Sequence, residues 1–136
     1  MKAITIRPPW SWWIASKHPA AKRIENRTWR PRKGLGPDGS IILAIHSGLR
    51  MDRKAETPFE WSGQPQDGPT GAIVATAVAT FRRDSQSAWA LPGCWHWELG
   101  GVFVLPAPIP CRGAQGLWDV PVDVLDAIIK QAQWAA

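Results

Sequence analysis

Four side chains able to bind a nucleotide lie within the stretch from Lys22 to Trp29, which reads Lys-Arg-Ile-Glu-Asn-Arg-Thr-Trp. Lys22 and Arg27 are suited to a phosphate or carbonyl oxygen, because both carry charged N–H donors. Glu25 can accept from an exocyclic amine or orient Arg27. Asn26 can both donate and accept, which suits the edge of a base. An internal Glu25–Arg27 ion pair that only positions the strand is the alternative interpretation.

The same stretch has the length of a β-strand, yet neither of its alternating faces is apolar. Lys22 falls on one face, whereas Arg23, Glu25 and Arg27 fall on the other. A half-buried strand normally shows one hydrophobic face. Charges on both faces therefore indicate either a solvated edge strand, where charge blocks unwanted pairing, or a strand that lines a polar pocket. We favour the pocket.

The composition predicts one basic, tryptophan-rich domain over residues 1–136, with 48–70 as a flexible excursion. The formal net charge is +5, which favours a polyanionic or phosphate-bearing partner. Ten Trp residues offer flat rings on which an unpaired base can stack, although at least half of them are expected to fill the core.

Short strands, two helices and many turns predict a small α+β domain with a mixed or barrel-like sheet. One helix is expected from Pro8-Pro9 to near His18-Pro19, and a second over Pro121–Trp134 with Asp119 as a cap. Ser40 to Ser47 is apolar on both faces, which predicts a buried central strand that ends at His46. The other predicted strands are Lys2 to Ile6, Gly71 to Phe81, and the pair Trp95 to Leu99 and Val102 to Leu105 about a turn at Gly100-Gly101.

Classical catalytic and metal motifs are incomplete in this chain. His96-x-Glu98 followed by Pro110-Cys111 is similar to a zinc deaminase signature, but Ala114 stands where the last cysteine is required. A zinc site of Cys94, His96, Cys111 and His46 can be drawn, yet no spacing demands it. We predict no metal and no cofactor. The absence of an apparent signal peptide or transmembrane stretch predicts a cytoplasmic protein with no membrane partner.

The order of several segments resembles the ASCH domain, named for its homology to activating signal cointegrator 1. The resemblance rests on Ile4 to Trp10 (Ile-Thr-Ile-Arg-Pro-Pro-Trp) and on Lys22-x-Ile24-Glu25-x-Arg27-x-Trp29. It extends to Ala44-Ile45-His46-Ser47 and to the segment from Pro110 to Trp118. The resemblance implies a PUA-like fold, a small mixed β-barrel with short flanking helices, and binding of RNA or other nucleic acid in a cleft near the Lys-x-Ile-Glu-x-Arg strand.

Some small ASCH members are amidohydrolases acting on acylated cytidine, and others have been described as ribonucleases. Lys22 matches the catalytic lysine of the amidohydrolases, whereas Glu25 occupies the position of their catalytic threonine. The resemblance therefore predicts a module that binds RNA, other single-stranded nucleic acid or a modified nucleoside, with a small hydrolase using Lys22 and Glu25 as the alternative. The basic loop Arg30–Lys33, with Arg82 and Arg83, would follow the backbone. The predicted binding residues are Lys22, Glu25, Asn26, Arg27, Trp29, His46, Trp10, Arg112 and Trp118.

Overall fold

The computed structural model describes residues 1–135, which form a mixed α+β fold with one six-stranded sheet curled into a half-barrel. The strands are β1 (Lys2–Ile6), β2 (Ile24–Arg27), β3 (Ile41–Ser47), β4 (Ala72–Arg82), β5 (Trp95–Pro110) and β6 (Leu117–Asp119). Helix α1 (Trp10–Ile14) follows β1, and helix α2 (Val122–Ala135) ends the described chain. The sheet order is β2-β5-β4-β3-β1-β6, with β1 and β3 parallel and the other neighbours antiparallel.

The sheet has two buried faces, because successive side chains of a strand point to opposite sides. On the face that α1 contacts, which we call the α1 face, Ile14 packs with a cluster that includes Leu43, Ile45 and Trp97. On the other face, the α2 face, Ala44 packs with Val124 and other apolar residues of α2. The alternation places Ile4 on the α1 face and its neighbours Ala3 and Thr5 on the α2 face.

The predicted turn at Gly100-Gly101 is wrong, because β5 runs without interruption from Trp95 to Pro110. Its pairing with β4 changes register between Thr76 and Val78, opposite this glycine pair. Gly101 has a φ of +53°, a conformation that L side chains rarely adopt. The two glycines therefore accommodate an irregular place in a long curved strand.

Three other expectations about the elements also need correction. Helix α1 ends at Ile14 rather than near His18-Pro19, because Ala15 already leaves the helical conformation, with a ψ of 52°. Ile42 was expected to be buried, yet it is 60% exposed, because α2 covers Ala44 but not the end of the α2 face where Ile42 pairs with Val78. Asp119 does not cap α2. It ends β6, two residues before Pro121, and forms an ion pair with Lys2 at 2.8 Å.

Residues 48–70 contain no helix or strand, and they lie against α1. Trp61 is buried with Trp13 and Trp89. The Trp13 indole N–H donates to the Pro65 carbonyl at 3.1 Å, and the Trp12 indole N–H donates to the Pro69 carbonyl at 2.8 Å. The flexibility of this segment stays a prediction. Neither helix of the described chain has the length and apolar character needed to cross a membrane.

Candidate functional site

Lys22, Glu25 and Arg27 form a largely buried triad of charges at the edge strand β2, which contains Glu25 and Arg27. Lys22 Nζ donates to Glu25 Oε1 at 2.9 Å and also to the Ile24 carbonyl. Arg27 Nε donates to Glu25 Oε2 at 2.9 Å, so one carboxylate accepts from two cations. The side chains of Lys22, Glu25 and Arg27 are 3%, 10% and 27% exposed. The triad carries a net positive charge and reaches the surface through Arg27.

The pairing of β2 with β5 determines which face of the sheet holds the triad. Glu25 lies opposite Trp97, and directly opposed residues project from the same face. Glu25 and Arg27 therefore lie on the α1 face. Lys22 precedes β2 and contacts Glu25, so it joins their side rather than the opposite one expected from strict alternation.

Helix α1 supplies an aromatic wall for the triad. Lys22 Nζ lies 5.6 Å from the centroid of the Trp10 ring, a cation–π distance. The Trp10 indole N–H donates to Asp52 Oδ2 at 2.8 Å, which is the main cause of a lowered pKa for the Asp52 carboxyl. The segment after β3 therefore fixes the orientation of Trp10.

Arg27 connects two strands that are not neighbours in the sheet. Its Nη2 donates to the Thr5 carbonyl of β1 at 3.3 Å, although β5, β4 and β3 separate β2 from β1 in the sheet order. The curl of the sheet therefore brings β2 and β1 within hydrogen-bond distance of each other. We call the group Lys22, Glu25, Arg27, Trp10 and Thr5 the seam.

The Thr5 hydroxyl belongs to a second polar cluster on the α2 face. His46 Nε2 lies 2.7 Å from the Cys111 carbonyl, which can only accept, so Nε2 carries the proton. His46 Nδ1 then accepts from the Thr5 hydroxyl at 3.2 Å, and that hydroxyl accepts from the Trp118 indole N–H at 3.2 Å. The sequence reasoning missed Thr5, although it is the one polar residue between two buried isoleucines of β1.

His46 should make the stability of the fold depend on pH. Burial lowers the pKa of its imidazole below the ordinary 6.5, and the hydrogen bond to the Cys111 carbonyl opposes this only in part. The unfolded chain therefore binds a proton at a higher pH than the folded chain does. The contribution of neutral His46 to the free energy of unfolding is complete above about pH 6.5. It is lost as the pH falls towards the folded-state pKa.

We expect the free energy of unfolding, from urea titrations between pH 5 and 8, to decrease towards the acidic end. The His46→Gln variant should show a shallower decrease, because glutamine does not bind a proton in this pH range. The difference between the two curves therefore gives the contribution of His46. Parallel curves for the two proteins would contradict the prediction.

Gly113 holds the Cys111–Gly116 segment close to this cluster. A Cβ atom added to Gly113 would lie 2.6 Å from Thr5 Oγ1 and 2.7 Å from His46 Cε1. The imidazole cannot move away easily, because both of its nitrogens are hydrogen-bonded in a buried position. The glycine is therefore required by close approach rather than by its backbone angles.

We expect Gly113→Ala to lower the free energy of unfolding by about 1–3 kcal/mol, the usual effect of overpacking. Gly100→Ala is the control, because its added Cβ would meet the Val78 carbonyl at an ordinary 3.7 Å. Thermal melts followed by circular dichroism would compare the variants. Equal melting temperatures for Gly113→Ala and the wild type would show that the segment can shift freely.

The other residues predicted to form the site lie outside the seam. Asn26 uses both ends of its amide on the backbone, with Nδ2 donating to the Trp89 carbonyl and Oδ1 accepting from the Leu91 N–H, each at 2.9 Å. Trp29 is 37% exposed and packs edge-to-face on Trp97. Arg112 is exposed, next to Gly113. The structure therefore brings together Lys22, Glu25, Arg27 and Trp10, with His46 and Trp118 joined to them through Thr5.

The drawn zinc site is not assembled in the part of the chain that the structure describes. Across residues 1–135, no group of three or more His, Cys, Asp or Glu side chains is placed to hold a metal ion. His96 binds the Ser85 N–H and the Leu91 carbonyl, away from His46. Burial raises the pKa of the Cys111 thiol, with a smaller contribution from Asp123.

No family model matches the chain, and a search of the curated proteins found no match.

Proposed function

We propose that the protein binds single-stranded nucleic acid, in particular RNA, or a modified nucleoside, at the seam. The observation that carries the proposal is the buried Lys22–Glu25–Arg27 triad, which has two cations on one carboxylate. Its uncompensated positive charge lies where the curl of the sheet brings β2 close to β1. A phosphate or carbonyl oxygen placed there would supply the missing acceptor.

A purely structural role accounts less well for the triad. Removing charges from water is expensive, and apolar side chains of similar size often stabilise a fold as well or better. Structural positioning of β2 would need only Glu25 and Arg27, yet the chain also buries Lys22 there. Arg27 donates from Nε and Nη2 to groups of the described chain, and a guanidinium has five N–H donors in all. Donors therefore remain for a ligand.

Aromatic rings near the seam suit the stacking of an unpaired base. Trp10 lies beside Lys22, and Trp29 presents a partly exposed ring after β2. Base–aromatic stacking contributes about 1–3 kcal/mol per base. The resemblance of the Lys22–Trp29 motif to the ASCH domain, which implies a PUA-like fold, also supports a nucleic-acid or nucleoside ligand.

The test compares wild type with Arg27→Gln for binding to fluorescein-labelled eight-nucleotide single-stranded RNA and DNA and to a panel of modified nucleosides. Arg27→Gln leaves the Lys22–Glu25 pair intact and neutral, so the variant should fold. We expect binding to weaken about tenfold or more, the effect of losing a hydrogen bond to a charged group. Arg53→Gln, an exposed control with the same change in charge, should bind as wild type. Equal losses in both variants, or no binding by wild type, would overturn the proposal.

A small hydrolase of modified nucleosides or RNA is the second candidate. Lys22 Nζ and Glu25 Oε1 are 2.9 Å apart and buried, which is close enough for proton transfer between them. Lys22→Met preserves side-chain length and leaves Glu25 paired with Arg27. Chromatography of acylated cytidine and RNA after incubation would decide between the two functions. Turnover by wild type that is abolished in Lys22→Met would favour the enzyme, whereas binding without product would favour the module.

A further inference from the structure

The α1 face carries a row of arginines around Trp95, the first residue of β5. Arg27 of β2 lies opposite Trp95 of β5. On the other side of β5, Phe81 of β4 lies opposite Trp97, and Arg82 lies opposite His96. Continuing this register by one residue places Arg83 beside Trp95, on the same face as Arg27.

Two guanidinium groups are stacked on the Trp95 ring. The Cζ atom of Arg83 lies 4.4 Å from the ring centroid, and that of Arg30 lies 4.8 Å from it. Both distances are typical of cation–π contacts, in which a flat guanidinium stacks on the ring and keeps its N–H edges for other partners. The indole therefore orients two like charges around the same ring.

Within residues 1–135, Arg30 and Arg83 lack the acidic partners that neutralise the neighbouring Arg82. Arg82 donates to Asp84 at 2.7 Å and to Glu98 at 3.2 Å, which form its ion pairs. Among the described residues, neither Arg30 nor Arg83 has a carboxylate within ion-pair distance. Within the Arg30 guanidinium, Nη1 donates to the Pro31 carbonyl at 3.2 Å, and Nε is buried without a hydrogen-bond partner in the described chain.

We propose that Arg30 and Arg83, stacked on Trp95, form a binding site for the phosphodiester group that neighbours a nucleotide bound at the seam. This proposal rests on the proposed function and extends it by naming a backbone contact. The row Arg27–Trp95–Arg83 leads from the seam to this site across adjacent strands. A phosphate has several acceptor oxygens, so it can accept from the terminal N–H groups of both guanidinium groups.

The test measures how the binding of octauridylate, with fluorescein attached at one end and no label on its bases, depends on salt between 50 and 200 mM KCl. Each phosphate contact contributes about −0.7 to the slope of log K against log salt for single strands, so the loss of a contact makes the slope shallower by about 0.7. We expect Arg30→Gln/Arg83→Gln to make the slope shallower by about 0.7, because the two arginines share one phosphodiester group, and to weaken the affinity at 50 mM by about tenfold or more. Arg82→Gln is the matched single-charge control for Arg83→Gln. The sequence predicts that Arg82 also follows the backbone, but its ion pairs with Asp84 and Glu98 occupy its charge, so this variant should bind as wild type.

Charge-preserving variants separate a built site from a general basic surface. Arg30→Lys/Arg83→Lys keeps the net charge but loses planar stacking and bidentate donation, so its affinity should also fall, by several-fold. Binding of inorganic phosphate alone, tested by competition up to 50 mM, should be weak, because one phosphate does not contact the seam. Phosphate that competes fully with octauridylate would identify a free-anion site and overturn the backbone assignment.

The outcomes also separate this proposal from the proposed function. If Arg82→Gln and Arg83→Gln weaken binding equally, or the lysine variant binds as wild type, the phosphodiester site is wrong while binding at the seam stands. If wild type binds no oligonucleotide at any salt concentration, both proposals fail. Circular dichroism spectra that match wild type would establish that each variant is folded.

Discussion

Replacement of Glu25 by alanine is expected to lower the free energy of unfolding by about 3–5 kcal/mol, the usual effect of removing one partner from a buried ion pair. The effect should be at the upper end, because Glu25 accepts from both Lys22 and Arg27. Without the carboxylate, two cations remain together in a largely buried position. Urea denaturation at pH 7, followed by tryptophan fluorescence, would measure the change.

Two further variants test whether charge balance is the cause. Lys22→Met leaves Glu25 paired with Arg27 and therefore neutral, so it should destabilise much less than Glu25→Ala, although Lys22 is the more deeply buried residue. Glu98→Ala removes a surface partner of Arg82, and exposed pairs contribute about 0.2–1 kcal/mol. A loss for Lys22→Met as large as that for Glu25→Ala would show that packing, rather than charge, determines the stability of the triad.

Much of the sheet could be predicted from hydrophobic patterns in the sequence, since β1, β3 and β4 fall within one residue of their expected limits. The polar character of β2 also identified three members of the seam. The pattern failed at Gly100-Gly101, because glycine pairs occur both in hairpin turns and at irregular places in curved strands. Only the partner strand distinguishes the two, and β4 continues past this point.

The residues that sequence reasoning misplaced have partners far away in the chain. Asn26 has the side chain of a base reader, but its partners Trp89 and Leu91 come from the segment before β5. Thr5 lacks any local signal of function, and its contact with Arg27 exists only because the sheet curls. The ten Trp residues offered no basis for choosing among them. The strand register makes that choice, by placing Trp95 beside Arg27 and Trp97 beside Glu25.

Trp97→Ala should destabilise the fold by about 3–5 kcal/mol, the range for truncating a buried large aromatic residue. Trp97 is fully buried, and its ring packs edge-to-face against two other rings. The distance between ring centroids is 5.0 Å to Trp29 and 5.1 Å to Phe81. Its indole N–H also donates to the Trp29 carbonyl at 3.0 Å. Truncation would therefore leave a cavity beneath Glu25 and an unpaired carbonyl after β2.

Trp29→Ala removes the same edge-to-face contact as Trp97→Ala but truncates an exposed side chain. Comparing the two variants therefore separates the effect of burial from that of the ring contact on the free energy of unfolding. It should lower the free energy of unfolding by only about 0.5–1.5 kcal/mol, the contribution of one aromatic pair. Trp97→Phe should fall between the two alanine variants, since it retains a ring but not the N–H donor. Urea titrations of the three variants would give this order if Trp97 supports the seam from below. Equal losses for Trp97→Ala and Trp29→Ala would mean that the structure around the triad collapses to fill the cavity.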